Sequence, residues 1–192
     1  MPAWFRRMPD RPARTRGWLG RVPGGRVGIG IGLAAVLFLT ATGRLFVWPV
    51  RDAPEPVDAI VMYAGSPGRL ARAIELVRAG YAPVLAVSTP PGADDPCPAA
   101  LPGIQVICFR PDPVTTQGEA RMTAELATRY GWRSVMIVVG TPQDTRARLR
   151  VKRCYEGRAL FVTVSPRLRG WPYAISYEWA AMIKALTIQR NC

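Results

Sequence analysis

Three short stretches carry the residue types and spacing that could do chemistry. They are Ala64-Gly65-Ser66-Pro67-Gly68-Arg69, the pair Ser88-Thr89, and Gly140-Thr141-Pro142-Gln143. Small residues let a ligand approach the backbone, and the free amides at a helix start favour an anion. Arg69, Arg72, Arg146 and Arg148 follow just downstream and add positive charge, so a phosphate- or carboxylate-bearing ligand is the natural expectation. The chain contains no histidine, which removes histidine dyads, triads and histidine-ligated metal sites. No metal ligands are expected. Each stretch also has a plainer reading. Ser66-Pro67 and Thr141-Pro142 look like ordinary helix starts, Thr116-x-x-Glu119 matches a capping box, and Arg146, Arg150 and Arg153 form one helical stripe of the solvated kind.

The elements around these stretches must place them at strand ends. Residues 58–63 (DAIVMY) form a short continuous apolar run of the kind buried in parallel sheets. A helix is expected over 67–79 and strands over 83–88 and 104–109, with a proline-rich loop between them. Further helices are expected over 116–130, 142–154 and 173–189, with strands over 134–139 and 159–164. Strands separated by helices of this length imply parallel pairing through right-handed crossovers. The fold expected is a three-layer α/β/α sandwich with a mostly parallel Rossmann-like sheet, preceded by one N-terminal transmembrane helix. In such a sheet the ligand crevice opens at the carboxyl ends of the strands, where the chain order reverses.

The net charge of +13 is unevenly placed. Arg6, Arg7, Arg11, Arg14, Arg16, Arg21 and Arg26 precede the first apolar run and are opposed only by Asp10, so about half of the excess lies in the tail. Residues 27–43 carry no charge, and Leu45-Phe46-Val47-Trp48 extends the apolar character past Arg44. A span needs about 20 residues, and this one suffices if Arg44 snorkels and Trp48 lies in the interface. The arginines then orient it amino end inside, carboxyl end outside, and account for the charge without nucleic acid. A cleaved signal peptide competes, since Thr40-Ala41-Thr42-Gly43 offers small residues; the 26-residue basic leader favours the anchor. The organisation expected is a cytoplasmic tail (1–26), an anchor (27–48), a stiff proline-rich spacer (49–56) and an extracytoplasmic domain (57–192).

Cys97, Cys108, Cys154 and Cys192 lack the spacing of zinc or dithiol motifs and suit an oxidising compartment. Of three connectivities, Cys97–Cys108 with Cys154–Cys192 is preferred. The first bond closes a short proline-rich loop and the second pins the C-terminus. Four buried free thiols are the alternative.

The order of three segments, residues 58–88, 115–132 and 134–157, resembles the SanA/ElyC/YdcF-like family of bacterial envelope domains. The resemblance lies in a strand that opens with Asp and ends in a glycine-rich turn, R-x-x-x-A on the next helix, and G-x-A-P before a strand ending in Ser. T-x-x-E-A then opens a helix, and a strand end is followed by R-A. It covers roughly residues 57–190 and implies a site formed by Asp58, Gly65, Arg69, Arg72, Ser88, Thr116, Glu119, Thr141, Arg146 and Glu178. Family members are linked to envelope integrity, peptidoglycan assembly and lipid-carrier metabolism, and one branch binds S-adenosylmethionine. The resemblance therefore implies an envelope-maintenance protein at the outer face of the cytoplasmic membrane, binding a phosphorylated, nucleotide-like or lipid-linked ligand; the cofactor is left open. As an enzyme it would use Glu119 as general acid or base, while Arg146 and the Thr141 amide hold an anionic group. A binding module without turnover and a scaffold for envelope proteins are the competing expectations. Two departures weigh against the enzyme. The turn reads Tyr63-Ala64-Gly65, and the histidine that many relatives place before R-A is absent, with Gln143-Asp144 nearby.

Overall fold

In the computed structural model, residues 24–65, 67–92 and 97–192 are described. The expected tail therefore lies almost wholly outside the described residues, as does Ser66. The chain divides into two compact units, Met1–Leu37 and Phe38–Cys192. The described part of the first unit is helical, belongs to α1 (Gly24–Thr42), and exposes its apolar side chains. Together with a π-helical turn over Gly43–Val47, this makes one apolar stretch, Val27–Val47, of 21 residues. It is long and apolar enough to cross a membrane, and a signal sequence would pass the same test.

The second unit is an α/β sandwich. Five strands, β1 (Ala59–Met62), β2 (Val84–Ser88), β3 (Gln105–Phe109), β4 (Ser134–Gly140) and β5 (Arg158–Val164), form one parallel sheet in the order β3-β2-β1-β4-β5. The central strands are buried on both faces because they read as unbroken apolar runs, and every residue of β1 is inaccessible to solvent. Ile60, Met62, Met136 and Val138 point to one face and meet Ala73, Leu76 and Val77 of α2 (Arg69–Arg78). Val61, Tyr63, Val135 and Ile137 point to the other, packing with Ala120 and Leu126 of α3 (Thr116–Tyr130) and Ala147 and Val151 of α4 (Asp144–Cys154). A last helix, α5 (Trp171–Thr187), packs on α4. The connection from β2 to β3 contains no helix among its described residues. Leu101, Ile104 and Cys108 nevertheless join the α2-side core, so the crossover runs over that face.

Three helices start two residues away from the sequence expectation, α2 and α4 later and α5 earlier, whereas α3 begins at Thr116 as expected. Helix α2 begins at Arg69, after Gly68 turns the chain at φ 95°, rather than at Pro67. Helix α3 is capped by Thr115, whose side chain accepts from the Gly118 amide. Of two adjacent threonines, the first adopts the extended conformation that a cap needs, and the capping-box alignment of Thr116 with Glu119 therefore fails. That one-residue displacement releases the Glu119 carboxylate for other work.

The stretch expected as a stiff spacer is fastened to the domain. Asp52 accepts from the Phe161 amide at 2.8 Å and from Arg148 at 2.9 Å, Glu55 pairs with Arg158, and the Val57 amide donates to Tyr81 O at 2.9 Å. Both disulfides are formed, Cys97–Cys108 and Cys154–Cys192, with Cα separations of 5.9 and 4.8 Å. The second sits beside Arg150 and Arg153, which donate to the Gln189 carbonyl, so the tail after α5 is held from two directions.

Opening a disulfide frees the unfolded chain in proportion to the logarithm of the loop it closes. Replacing Cys154 and Cys192 by Ser, which opens a separation of 38 residues, is expected to cost about 4 kcal/mol. The same change at Cys97 and Cys108, 11 residues apart, is expected to cost about 3 kcal/mol. Urea denaturation of the two double variants checks both the size and the ranking.

Candidate functional site

The order of the sheet puts its switch point between β1 and β4, and there the two strand ends leave a cleft of about 590 Å³. Arg69 forms its floor. The guanidinium lies between the Cα atoms of Gly65 and Gly140: a Cβ on the first would come within 2.7 Å of it and on the second within 2.6 Å. Its Nη1 donates to Tyr63 O at 3.1 Å, Ala64 O at 2.6 Å and Gln143 Oε1 at 2.7 Å. The Gln143 amide in turn donates to Thr116 Oγ1 at 2.8 Å. One side chain thus ties the end of β1 to the turn after β4, and through Gln143 to the first residue of α3.

Glu119 points into the cleft from the first turn of α3 and is almost wholly buried. Its Oε1 accepts from the Ala64 amide at 2.7 Å. Burial dominates its titration and pushes the carboxyl up to about 7; the Ser88 hydroxyl, the Ala64 amide and the charges of Arg69 and Arg146 pull it down, and lose. The Ser88 hydroxyl is itself buried and makes no hydrogen bond of normal length, so the Ala64 amide is the firm contact on Glu119. Behind Glu119, the Tyr63 hydroxyl and Thr123 share a hydrogen bond at 3.0 Å, and burial raises the phenol's pKa so that it stays neutral.

Across the cleft, Arg146 of α4 and Glu178 of α5 form a buried bidentate pair at 2.7 and 2.8 Å. Burial opposes the guanidinium's charge, but the Glu178 carboxylate outweighs it and Arg146 stays protonated. The pair closes the wall against Tyr177, whose ring centre is 5.9 Å from the guanidinium carbon. Prolines 90, 91, 111, 142 and 166 stiffen the remaining rim.

Of the expected set, Gly65, Arg69, Thr116, Glu119, Arg146 and Glu178 line this one cleft. Ser88 lies behind Glu119, and Thr141 is buried beside the cleft, 3.1 Å from the Ser165 hydroxyl. Two expected positions lie elsewhere. Asp58 precedes β1, at the opposite end of the strand from the cleft, where it accepts from the Arg133 and Ser134 amides and the Ser134 hydroxyl. Burial would raise its pKa, but these bonds together win and lower it, as befits a carboxylate that locks a strand start. Arg72 pairs with Glu75 one turn on and borders a separate hollow with Arg51 and Asp52. Gln143, Tyr173 and Tyr177 line the cleft although the expected set omits them. The signals were slight: a glutamine at a strand-to-helix junction, and two aromatics four apart on a helix.

With a guanidinium floor, a carboxyl that changes charge near neutrality and a stiff rim, the cleft can hold one anionic group beside a proton donor or acceptor. Comparison of the chain with family models, with curated proteins and with solved structures finds no match.

Glu119 binds its proton more tightly in the folded chain than in the unfolded one. Relative to Glu119→Gln, the wild type is therefore expected to hold its full stability below about pH 4.5 and to lose it as pH rises through about 7. The loss over that window is roughly 3 kcal/mol. Urea midpoints of both proteins across this range measure it, and parallel curves would sink the assignment. Gly140→Ala puts a methyl group where the Arg69 guanidinium sits. A loss of about 1–3 kcal/mol is expected in the same assay.

Proposed function

We propose that this protein is a membrane-anchored, YdcF-like protein of the bacterial cell envelope that binds a phosphorylated or nucleotide-like ligand in the switch-point cleft. The observation that carries the reading is the convergence of Arg69, Glu119 and Arg146 on one cleft at the carboxyl ends of β1 and β4. A phosphate oxygen is the partner that a partly desolvated guanidinium and an uncharged carboxyl would both serve, one by charge and the other by donating its proton as a hydrogen bond. A carboxyl titrating near 7 is also fitted to take up or release a proton at working pH, which is what general acid–base chemistry asks of it. The apolar stretch Val27–Val47 serves as an uncleaved anchor, with the arginine-rich tail inside and the α/β domain outside. Two disulfides suit that side of the membrane.

The test is a thermal-shift screen of the full chain in detergent, using nucleotides, S-adenosylmethionine and polyprenyl-phosphate analogues. Removing Arg146 alone leaves Glu178 buried and unpaired, which typically costs about 3–5 kcal/mol, so the informative variant is Arg146→Gln with Glu178→Gln. A phosphate-bearing ligand at a hundredfold excess over its Kd is expected to stabilise the wild type by about 2.7 kcal/mol. The double variant should keep its unliganded melting temperature and lose that shift. A shift that survives in the variant, or none with any compound, removes the reading.

A further inference from the structure

The apolar stretch Val27–Val47 does not end where the domain begins. Its last residues, from Phe38 onward, belong to the same compact unit as the sheet. Trp179 of α5 stacks on Phe38 with ring centroids 5.2 Å apart, meets Phe46 edge-on at 5.2 Å, and donates its indole N–H to Thr42 Oγ1 at 3.1 Å. Thr145 of α4 donates to Leu45 O at 2.5 Å. From Phe38 to Phe46 a helix rises about 12 Å. Helix α5 therefore lies beside the last turns of the very segment that the anchor reading places in the bilayer, with an indole where interfacial tryptophans belong.

A second observation comes from the surface next to Trp179. Among the described residues from Val50 onward, nine large apolar side chains are exposed, and six of them fall within 168–188. Leu168, at 88 %, is flanked by the exposed Arg167 and Arg169; Tyr173, at 75 %, stacks on Tyr177, at 53 %, with centroids 6.2 Å apart. Ile183, at 57 %, follows Trp179 one turn later beside the exposed Lys184. Bare apolar side chains alternating with cations are costly in bulk water. They are the composition of segments that lie in an anionic headgroup layer.

We infer that the surface formed by Leu168, Tyr173, Tyr177 and Ile183 contacts an anionic lipid bilayer beside the span, with Arg167, Arg169 and Lys184 against lipid phosphates. Tyr173 and Tyr177 also line the cleft, so its mouth meets the headgroup layer and a ligand carried by a lipid enters without leaving it. This rests on the anchor reading, and its test separates the two. A photoreactive benzophenone amino acid is introduced singly at Leu168, Tyr173, Ile183, Ile31 and Tyr130 of the full chain. Each variant is reconstituted in nanodiscs of phosphatidylethanolamine and phosphatidylglycerol, irradiated, and read by intact mass. Lipid adducts are expected at Ile31 in the span and at Leu168, Tyr173 and Ile183, with at least a tenfold lower yield at Tyr130 on the far end of α3. Adducts at Ile31 but not at the three surface positions overturn the inference and leave the anchor standing. Adducts at none of the four overturn both. Cross-links from Leu168 or Tyr173 to a second copy of the chain, in place of lipid, also overturn it.

Discussion

The domain depends on one guanidinium. In a parallel sheet the strand ends at the switch point diverge, and their last carbonyls lose the neighbours that the sheet would have supplied. Arg69 fills that gap. It caps the carbonyls of Tyr63 and Ala64 and reaches Gln143 on the far side, so just past the last ladder pair, Met62 with Val138, a side chain ties the end of β1 to the turn after β4. Two glycines are needed for it to fit, one on either side. The cleft is open because this strut is there, and it is cationic for the same reason.

The two carboxyls of the cleft meet its cations in different ways. Glu178 neutralises Arg146 across the opening, whereas Glu119 is buried deeply enough that ionisation costs more than the nearby cations return. The two carboxyls therefore differ in character because their surroundings differ: one is committed to an ion pair, the other keeps its proton negotiable. An incoming anion would meet a guanidinium floor, and beside it a group able to donate a hydrogen bond.

The sheet was legible in the sequence because buried parallel strands leave unbroken apolar runs such as AIVM and SVMIVV, and the disulfide pairing that formed is the one preferred among three. The site was legible only as far as the strand ends carry distinctive small residues. Glu119 was visible, but its capping-box reading failed because adjacent threonines allow two helix starts and only packing chooses between them. Asp58 was drawn into the set by pattern. Its work is to fasten a strand start, and an aspartate at either end of a strand reads alike. Gln143 is the converse case, a neutral amide with no pattern of its own that becomes central only once Arg69 and Thr116 are brought to it by three separate elements.

The fastening of residues 52–57 along β5 and α4 sets a mechanical limit. A free spacer of eight residues would let a domain wander about 15 Å from its tether. Here the path from Phe38 to β1 has no slack, so the separation between the end of the apolar helix and the cleft is fixed as in a ruler. A cleft held this way keeps one distance from the end of the apolar helix and cannot swing away from it.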